Sequence, residues 1–130
     1  MTARKKLLVV DDDASVREIL SIQLARMGYE VVLCNDGIEA VAAYEESPPD
    51  LILIDVMMPR LNGLEACQKI RALEKETDRR VPVIFLTARD STHDKSSAAL
   101  SGGDEFVQKP VSLQELRDRI EAVLGRREKS

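Results

Sequence analysis

Five short apolar runs, each followed by a segment of a different rhythm, constrain this chain more than any other feature. The runs cover residues 6–11 (KLLVVD), 29–34 (YEVVLC), 51–54 (LILI), 81–87 (VPVIFLT) and 105–108 (EFVQ). They are too short for stable helices, and the first, third and fourth are rich in Val, Ile and Leu, as strands are. The segments between them carry helical spacing. Residues 15–27 place Val16, Ile19, Leu20, Leu24 and Met27 on one face. Ser15 and Glu18 read there as a capping box, and Gly28 as the stop. Residues 37–46 read as a helix with Ile38, Val41 and Ala42 inward, broken by Ser47-Pro48-Pro49. Asn62 is expected to cap a helix over 63–73, with Glu65 at the capping-box position. Residues 74–80 read as a charged connection, and 91–100 as a helix with a weak apolar face. Leu113, Leu116, Ile120, Val123 and Leu124 stripe a last helix, after which 125–130 read as a solvated tail.

Five βα units in a row predict an α/β fold, a doubly wound parallel sheet with helices on both faces. Runs such as LLVV and LILI, apolar on both sides of the strand, suit burial between two helix layers. With 130 residues and no internal repeat or linker, the chain is expected to be one domain, with its core over about 6–124. Aromatic residues are only 3%, so aliphatic side chains must fill that core. The net charge of −4 argues against direct nucleic-acid binding, which favours a basic face. No apolar run approaches the roughly 18 residues of a membrane span. The basic start, 1–6, lacks the longer apolar stretch of a secretory signal, so a cytoplasmic location is expected. Cys34 and Cys67 then read as two free thiols.

Ligands of doubly wound sheets sit beyond the carboxyl ends of the strands. The first run ends in Asp11-Asp12-Asp13, the third is followed by Asp55, the fourth ends at Thr87, and the fifth leads to Lys109-Pro110. Clustered carboxylates repel one another unless a cation sits among them. Oxygen ligands of this kind suit a hard divalent ion such as Mg²⁺. A carboxylate beside such an ion can attack phosphorus, while a Lys and a hydroxyl hold the remaining phosphoryl oxygens.

Taken together, VVDDD, LILIDVMMPRLNG, VPVIFLTA and GGDEFVQKP resemble the response-regulator receiver family of two-component signalling, in family order and over about 6–124. The resemblance implies the flavodoxin-like (βα)5 fold with strand order 2-1-3-4-5. It implies that Asp55 accepts a phosphoryl group from a sensor histidine kinase or a histidine phosphotransfer protein. It implies Mg²⁺, for which Mn²⁺ can substitute, held by Asp12, by Asp11 through water, by Asp55 and by the backbone carbonyl of Met57. Thr87 would bond the new phosphoryl group, Lys109 would pair with it, and the Lys109-Pro110 bond would be cis. The switch position, often Tyr in the family, is Phe106 here, which offers no hydroxyl to a partner. Met57 and Arg89, two past Asp55 and Thr87, stand where the family tunes dephosphorylation. The family's output runs through the face of the fourth helix, fifth strand and fifth helix. It goes to a downstream protein or to an output domain absent from this chain, and that face also leaves open a phosphorylation-dependent homodimer. Whether the chain stands alone or belongs to a longer protein stays open, as do its kinase and target.

Each of these positions also admits a blander reading. Asp13 reads as a helix-start acid. Asp11, Asp12, Asp55, Thr87 and Lys109 are individually unremarkable, but four motifs at four strand ends exceed coincidence. Gly102-Gly103-Asp104-Glu105-Phe106 spells the diguanylate cyclase signature, yet that catalytic domain is longer than this chain. His93 reads as solvated and Cys67 as a small buried hydrophobe. A haloacid-dehalogenase-type phosphatase also opens with an apolar strand and Asp-x-Asp, but needs a further acidic pair after the Lys. A flavodoxin-like binding module needs a Gly- and Ser-rich loop where three aspartates stand. A pseudo-receiver is disfavoured by the intact acids, Thr87 and Lys109. The expected protein is a phosphorylation switch and not a turnover enzyme.

Overall fold

The computed structural model describes residues 4–58, 60–87, 102–109 and 112–129, with the side chains of Thr87 and 126–129 outside the description. Along the chain run β1 (Lys6–Val10), α1 (Ala14–Arg26), β2 (Glu30–Cys34), α2 (Gly37–Glu46) and β3 (Leu51–Asp55). They are followed by α3 (Gly63–Glu74), β4 (Val83–Thr87), β5 (Glu105–Gln108) and the C-terminal helix α4 (Leu113–Lys129). The helix expected over 91–100 lies outside the described residues, as do Arg89, His93 and Pro110.

The strands form one parallel sheet in the order β2-β1-β3-β4-β5. Alternation along the strands explains the two layers around it. Leu8, Val10, Ile52, Ile54, Val83 and Phe85 face one side and pack with Ala40 and Tyr44 of α2 and Ala66, Cys67 and Ile70 of α3. Leu7, Val9, Leu51, Leu53, Ile84 and Leu86 face the other and pack with Leu20 and Leu24 of α1 and Leu116, Ile120, Val123 and Leu124 of α4. Both faces are therefore buried, as the all-apolar runs required. Each Val, Leu, Ile or Phe among them contributes roughly 1.5–3 kcal/mol when fully removed from water. Among the described residues, no helix is long and apolar enough to cross a membrane.

Several local expectations are corrected. The cap of α1 is Asp13, whose carboxylate accepts from the amides of Ser15 and Val16; Ser15 lies inside the first turn. An acid one residue before the helix reaches two free amides that Ser15 itself would have left open. Ile19 is exposed, and the buried face of α1 is Leu20 and Leu24. In α2, Ile38 and Ala42 are exposed, and Ala40 and Tyr44 are buried instead. A ten-residue helix of mostly apolar residues carries little periodic contrast, so its inward face is set by the sheet. Glu74, expected in the charged connection, is instead the buried last residue of α3. Leu113 is exposed, and α4 runs on through Lys129, where a solvated tail was expected. The capping box of Asn62 and Glu65 is present with both reciprocal bonds.

Candidate functional site at the carboxyl ends of the strands

The sheet order sets which strand ends are neighbours. With β1 and β3 adjacent and parallel, the residues just past Val10 and at the end of β3 come together. Those residues are Asp11 and Asp55. Asp11 is fully buried, Asp55 nearly so, and Asp12 is exposed. One carboxylate oxygen from each of the three lies within 4.8 Å of the others. Lys109, directly after β5, reaches back over the sheet end. Its Nζ lies 3.1 Å from Asp11 Oδ2 and 3.2 Å from Asp55 Oδ2.

Backbone donors fix the two buried acids. The Asp13 amide donates to Asp11 Oδ1 at 2.9 Å, and the Met57 amide donates to Asp55 Oδ1 at 3.3 Å. Arg17, one turn into α1, donates to the backbone carbonyl of Asp11 at 2.7 Å, tying the β1–α1 loop to the helix. The chain after Asp55 folds back tightly. The Gly63 amide donates to the Val56 carbonyl at 3.0 Å. A Cβ on Gly63 would stand 2.2 Å from the Asp55 carbonyl oxygen, so only glycine fits where α3 begins.

The electrostatics follow from a surplus of acids. Burial pushes the Asp55 carboxyl up from its ordinary value; Lys109 opposes this, Asp11 adds to it, and the net direction is upward. Burial alone would lower the Lys109 ammonium, but its hydrogen bond to Asp11 and the charges of Asp55 and Asp11 raise it. Both members of one ion pair thus shift upward. The reason is that a single ammonium is shared between two buried carboxylates, so it is held charged while Asp55 is under-compensated. Three carboxylates and one ammonium leave a negative cluster of oxygen donors. That is the donor set and charge a small divalent cation takes.

Of the other expected site residues, Thr87 ends β4 in register with Gln108, one residue before Lys109. Its side chain lies outside the description. Phe106 sits on β5 opposite Phe85 and is 36% exposed. The Met57 side chain is exposed and its amide faces Asp55. Cys34 and Cys67 are free, buried thiols, pushed by burial to about 11 and so unreactive at neutral pH. Arg17 was missed in the sequence; a lone Arg on a helix gives no sign that it reaches a backbone carbonyl six residues back.

Comparison with known proteins agrees with this geometry. The family described as the response regulator receiver domain matches residues 7–121. A probable transcriptional regulator ycf27 of Guillardia theta is 42% identical over the full chain, which covers 49% of that protein. The response regulator MprA of Mycobacterium leprae (strain TN) is 44% identical over 93% of the chain and 51% of its own length. The chain thus spans about half the length of these curated relatives. A CheY-like response regulator receiver domain protein from Methanospirillum hungatei JF-1 superposes with a TM-score of 0.89 at 28% identity, covering 98% of both chains. The receiver domain of the sensor histidine kinase PA1611 from Pseudomonas aeruginosa PAO1 superposes with a TM-score of 0.85 at 34% identity, covering 95% of this chain and 99% of that one. It is described with a magnesium ion coordinated in its active-site cleft. With its strand order, its acidic strand ends and this profile match all in agreement, the chain belongs to the response regulator receiver domain family.

Proposed function

We propose that Asp55 is the phosphoacceptor of a two-component switch, taking its phosphoryl group from a sensor histidine kinase or a histidine phosphotransfer protein. Membership of the family implies the kinase as partner. The observation that carries the residue assignment is Lys109, held within 3.2 Å of Asp55 and 3.1 Å of Asp11 in a cluster of three acids. The residues fit Mg²⁺, with Mn²⁺ able to substitute: Asp11, Asp12 and Asp55 would hold it, with the backbone carbonyl of Met57. When bound, the cation supplies neutralisation of the charge on the phosphoryl oxygens.

The chain's own residues then act as follows. An Asp55 oxygen attacks phosphorus, the phosphorus–nitrogen bond of phosphohistidine breaks, and the imidazole leaves with the electron pair. Ionised Asp55 is needed for attack, and the Lys109 charge and hydrogen bond favour that form against the upward push of burial. After transfer, the aspartyl carboxyl has lost its charge and the phosphoryl group carries about −1.5 to −2. Lys109 turns from the carboxylate to that group, and the Thr87 hydroxyl donates to it. Phe106 follows Thr87 inward and reshapes the face around β5 and α4. The difference in contacts between the two states is what biases the switch. Hydrolysis resets it, so the protein is a self-resetting switch and not a turnover enzyme.

We place residues 1–130 in one receiver domain, acting in the cytoplasm on a downstream protein or an output domain, with neither nucleic acid nor membrane touched directly. The reshaped face also suits a phosphorylation-dependent homodimer. Two relatives named as regulators are about twice as long as the matched region, which supports an output carried outside it. Intact mass after incubation with acetyl phosphate and Mg²⁺ tests the assignment. A labile phosphoryl adduct is expected on wild type and not on Asp55→Asn. An adduct on both, or none on wild type at saturation, removes Asp55 from the role.

A further inference from the structure

The start of α2 makes a set of contacts with the β3–α3 loop that the proposed chemistry does not use. Asp36 caps α2, accepting from the Glu39 amide at 2.9 Å, and it is buried to 2% exposure. Its other oxygen pairs with the Arg60 guanidinium, which lies 24 residues along the chain. Directly beside it, the Gly37 amide donates to the Leu61 carbonyl at 3.1 Å. A Cβ on Gly37 would stand 2.4 Å from that carbonyl oxygen, so the loop is pressed against the helix start. Arg60 itself has φ +67. Among the described residues it is the one non-glycine in the left-handed region. An L side chain is disfavoured there, so the surrounding contacts must hold it.

We infer that Asp36 and Arg60 form a latch that sets the conformation of the β3–α3 loop, making Asp36 a positioning residue for Asp55 and Met57 although it lies outside the acidic cluster. The inference rests on the site reading above. Both ends of the loop are fixed: Asp55 by the sheet, and Gly63 by its bond to the Val56 carbonyl and its closeness to Asp55. If residue 60 leaves the left-handed region, the change must be absorbed between those ends. Met57 lies there, and its amide is the donor that orients Asp55 Oδ1. The Asp36 carboxylate is well suited to the task. The Glu39 amide, and behind it the Arg60 charge, hold its carboxyl below the usual range against burial, so it stays ionised.

Asp36→Asn separates latch from cap, because Asn caps helices as well as Asp and loses only the charge. Arg60→Gly removes the guanidinium and, at the same time, the backbone strain. The measurement is Mg²⁺ affinity by calorimetry, beside the metal-free melting temperature and the acetyl-phosphate adduct. Expected are a several-fold weaker Mg²⁺ affinity in Asp36→Asn and in Arg60→Gly, with metal-free melting little changed in Asp36→Asn and lowered in Arg60→Gly, which leaves the Asp36 charge buried without its cation. Arg60→Lys should recover part of the affinity, and the double variant should bind no worse than either single one, as coupled sites do. Wild type that binds Mg²⁺ and forms the adduct, with Asp36→Asn matching its affinity, overturns the latch alone. Additive losses in the double variant overturn it as well. Wild type that neither binds Mg²⁺ nor forms the adduct overturns the site reading on which the latch rests.

Discussion

The two ends of the sheet each bury carboxylates against a cation, and they do it in opposite ways. At the amino ends of β4 and β5, Arg71 donates to Glu74 Oε1 and the Val81 carbonyl at 2.7 Å each. It also donates to the Gly102 carbonyl at 3.0 and 2.8 Å and to Asp104 Oδ2 at 3.0 Å. The acids in turn accept backbone amides, Glu74 from Val81 at 2.5 Å and Asp104 from Val83 at 2.8 Å. Arg80 adds a second cation to Asp104 at 3.3 Å. Two acids face two guanidinium groups, and their polar atoms are matched. At the carboxyl ends, Asp11 and Asp55 share the one ammonium of Lys109, and Asp12 adds a third carboxylate. The balanced end clamps α3, β4 and the entry to β5 together. The unbalanced end leaves negative charge for something else to neutralise. A buried charge network is structural when its sum closes and chemically poised when it does not.

The balanced end offers the largest expected effect. Arg71→Ala leaves Glu74 and Asp104 with their main cation gone, one of them 7% exposed. Breaking a buried pair from one side destabilises by about 3–5 kcal/mol. Urea unfolding should show a loss of that size, and a loss under about 1 kcal/mol would mean that the end is not the clamp its geometry describes.

Adding the missing charge should sharpen the contrast from the other side. A ligand that binds only the folded chain stabilises it by about 2.7 kcal/mol at 100-fold excess over Kd. Mg²⁺ should therefore raise the melting temperature of wild type, and much less that of Asp55→Asn. Equal shifts in the two proteins would place the cation elsewhere.

Removing charge should act in the same direction with a smaller effect. The Asp55 carboxyl is raised in the fold, so its contribution to stability is fully present below the ordinary carboxylate value of 3.8 and is lost as pH rises through the folded value. At neutral pH the ionised group therefore destabilises the fold. Asp55→Asn should be more stable than metal-free wild type at pH 7, by roughly 0.5–2 kcal/mol, the usual range for a single stabilising substitution. The advantage should vanish on acidification below the carboxylate range. A variant less stable than wild type at pH 7 would show that the Lys109 pair outweighs the burial of Asp55.

These two ends were not equally legible in the sequence. The carboxyl ends were readable because a parallel α/β sheet delivers strand-end residues to one place, so Asp11, Asp12, Asp55 and Lys109 could be gathered without a structure. The Arg71 clamp was not, since its partners lie at positions 74, 81, 102 and 104, and nothing periodic links them. Glu74 looked like surface charge because its neighbours in sequence are charged; the Arg71 guanidinium and the Val81 amide explain its burial. Helix existence was legible from apolar spacing, and the cap of α3 from Asn62 and Glu65. Helix faces were less so. In α1 and α2 exposed Ile19 and Ile38 sit beside buried Leu20 and Ala40, and which side turns inward depends on how each helix crosses the sheet.

Met57 gives the smallest expected effect and separates backbone from side chain at the unbalanced end. Its side chain is 64% exposed and contributes little buried area, whereas its amide donates to Asp55. Its proposed metal contact is also a backbone group. Met57→Ala keeps both backbone groups, so stability and Mg²⁺ affinity should each stay within about 0.5 kcal/mol of wild type, the usual span for surface changes. The rate of adduct loss is the more sensitive measurement, because a shorter side chain opens the approach of water to Asp55. A large fall in Mg²⁺ affinity would mean that the exposed thioether, and not the backbone beneath it, holds the loop in place, and the distinction between a poised backbone site and a side-chain clamp would then fail at this position.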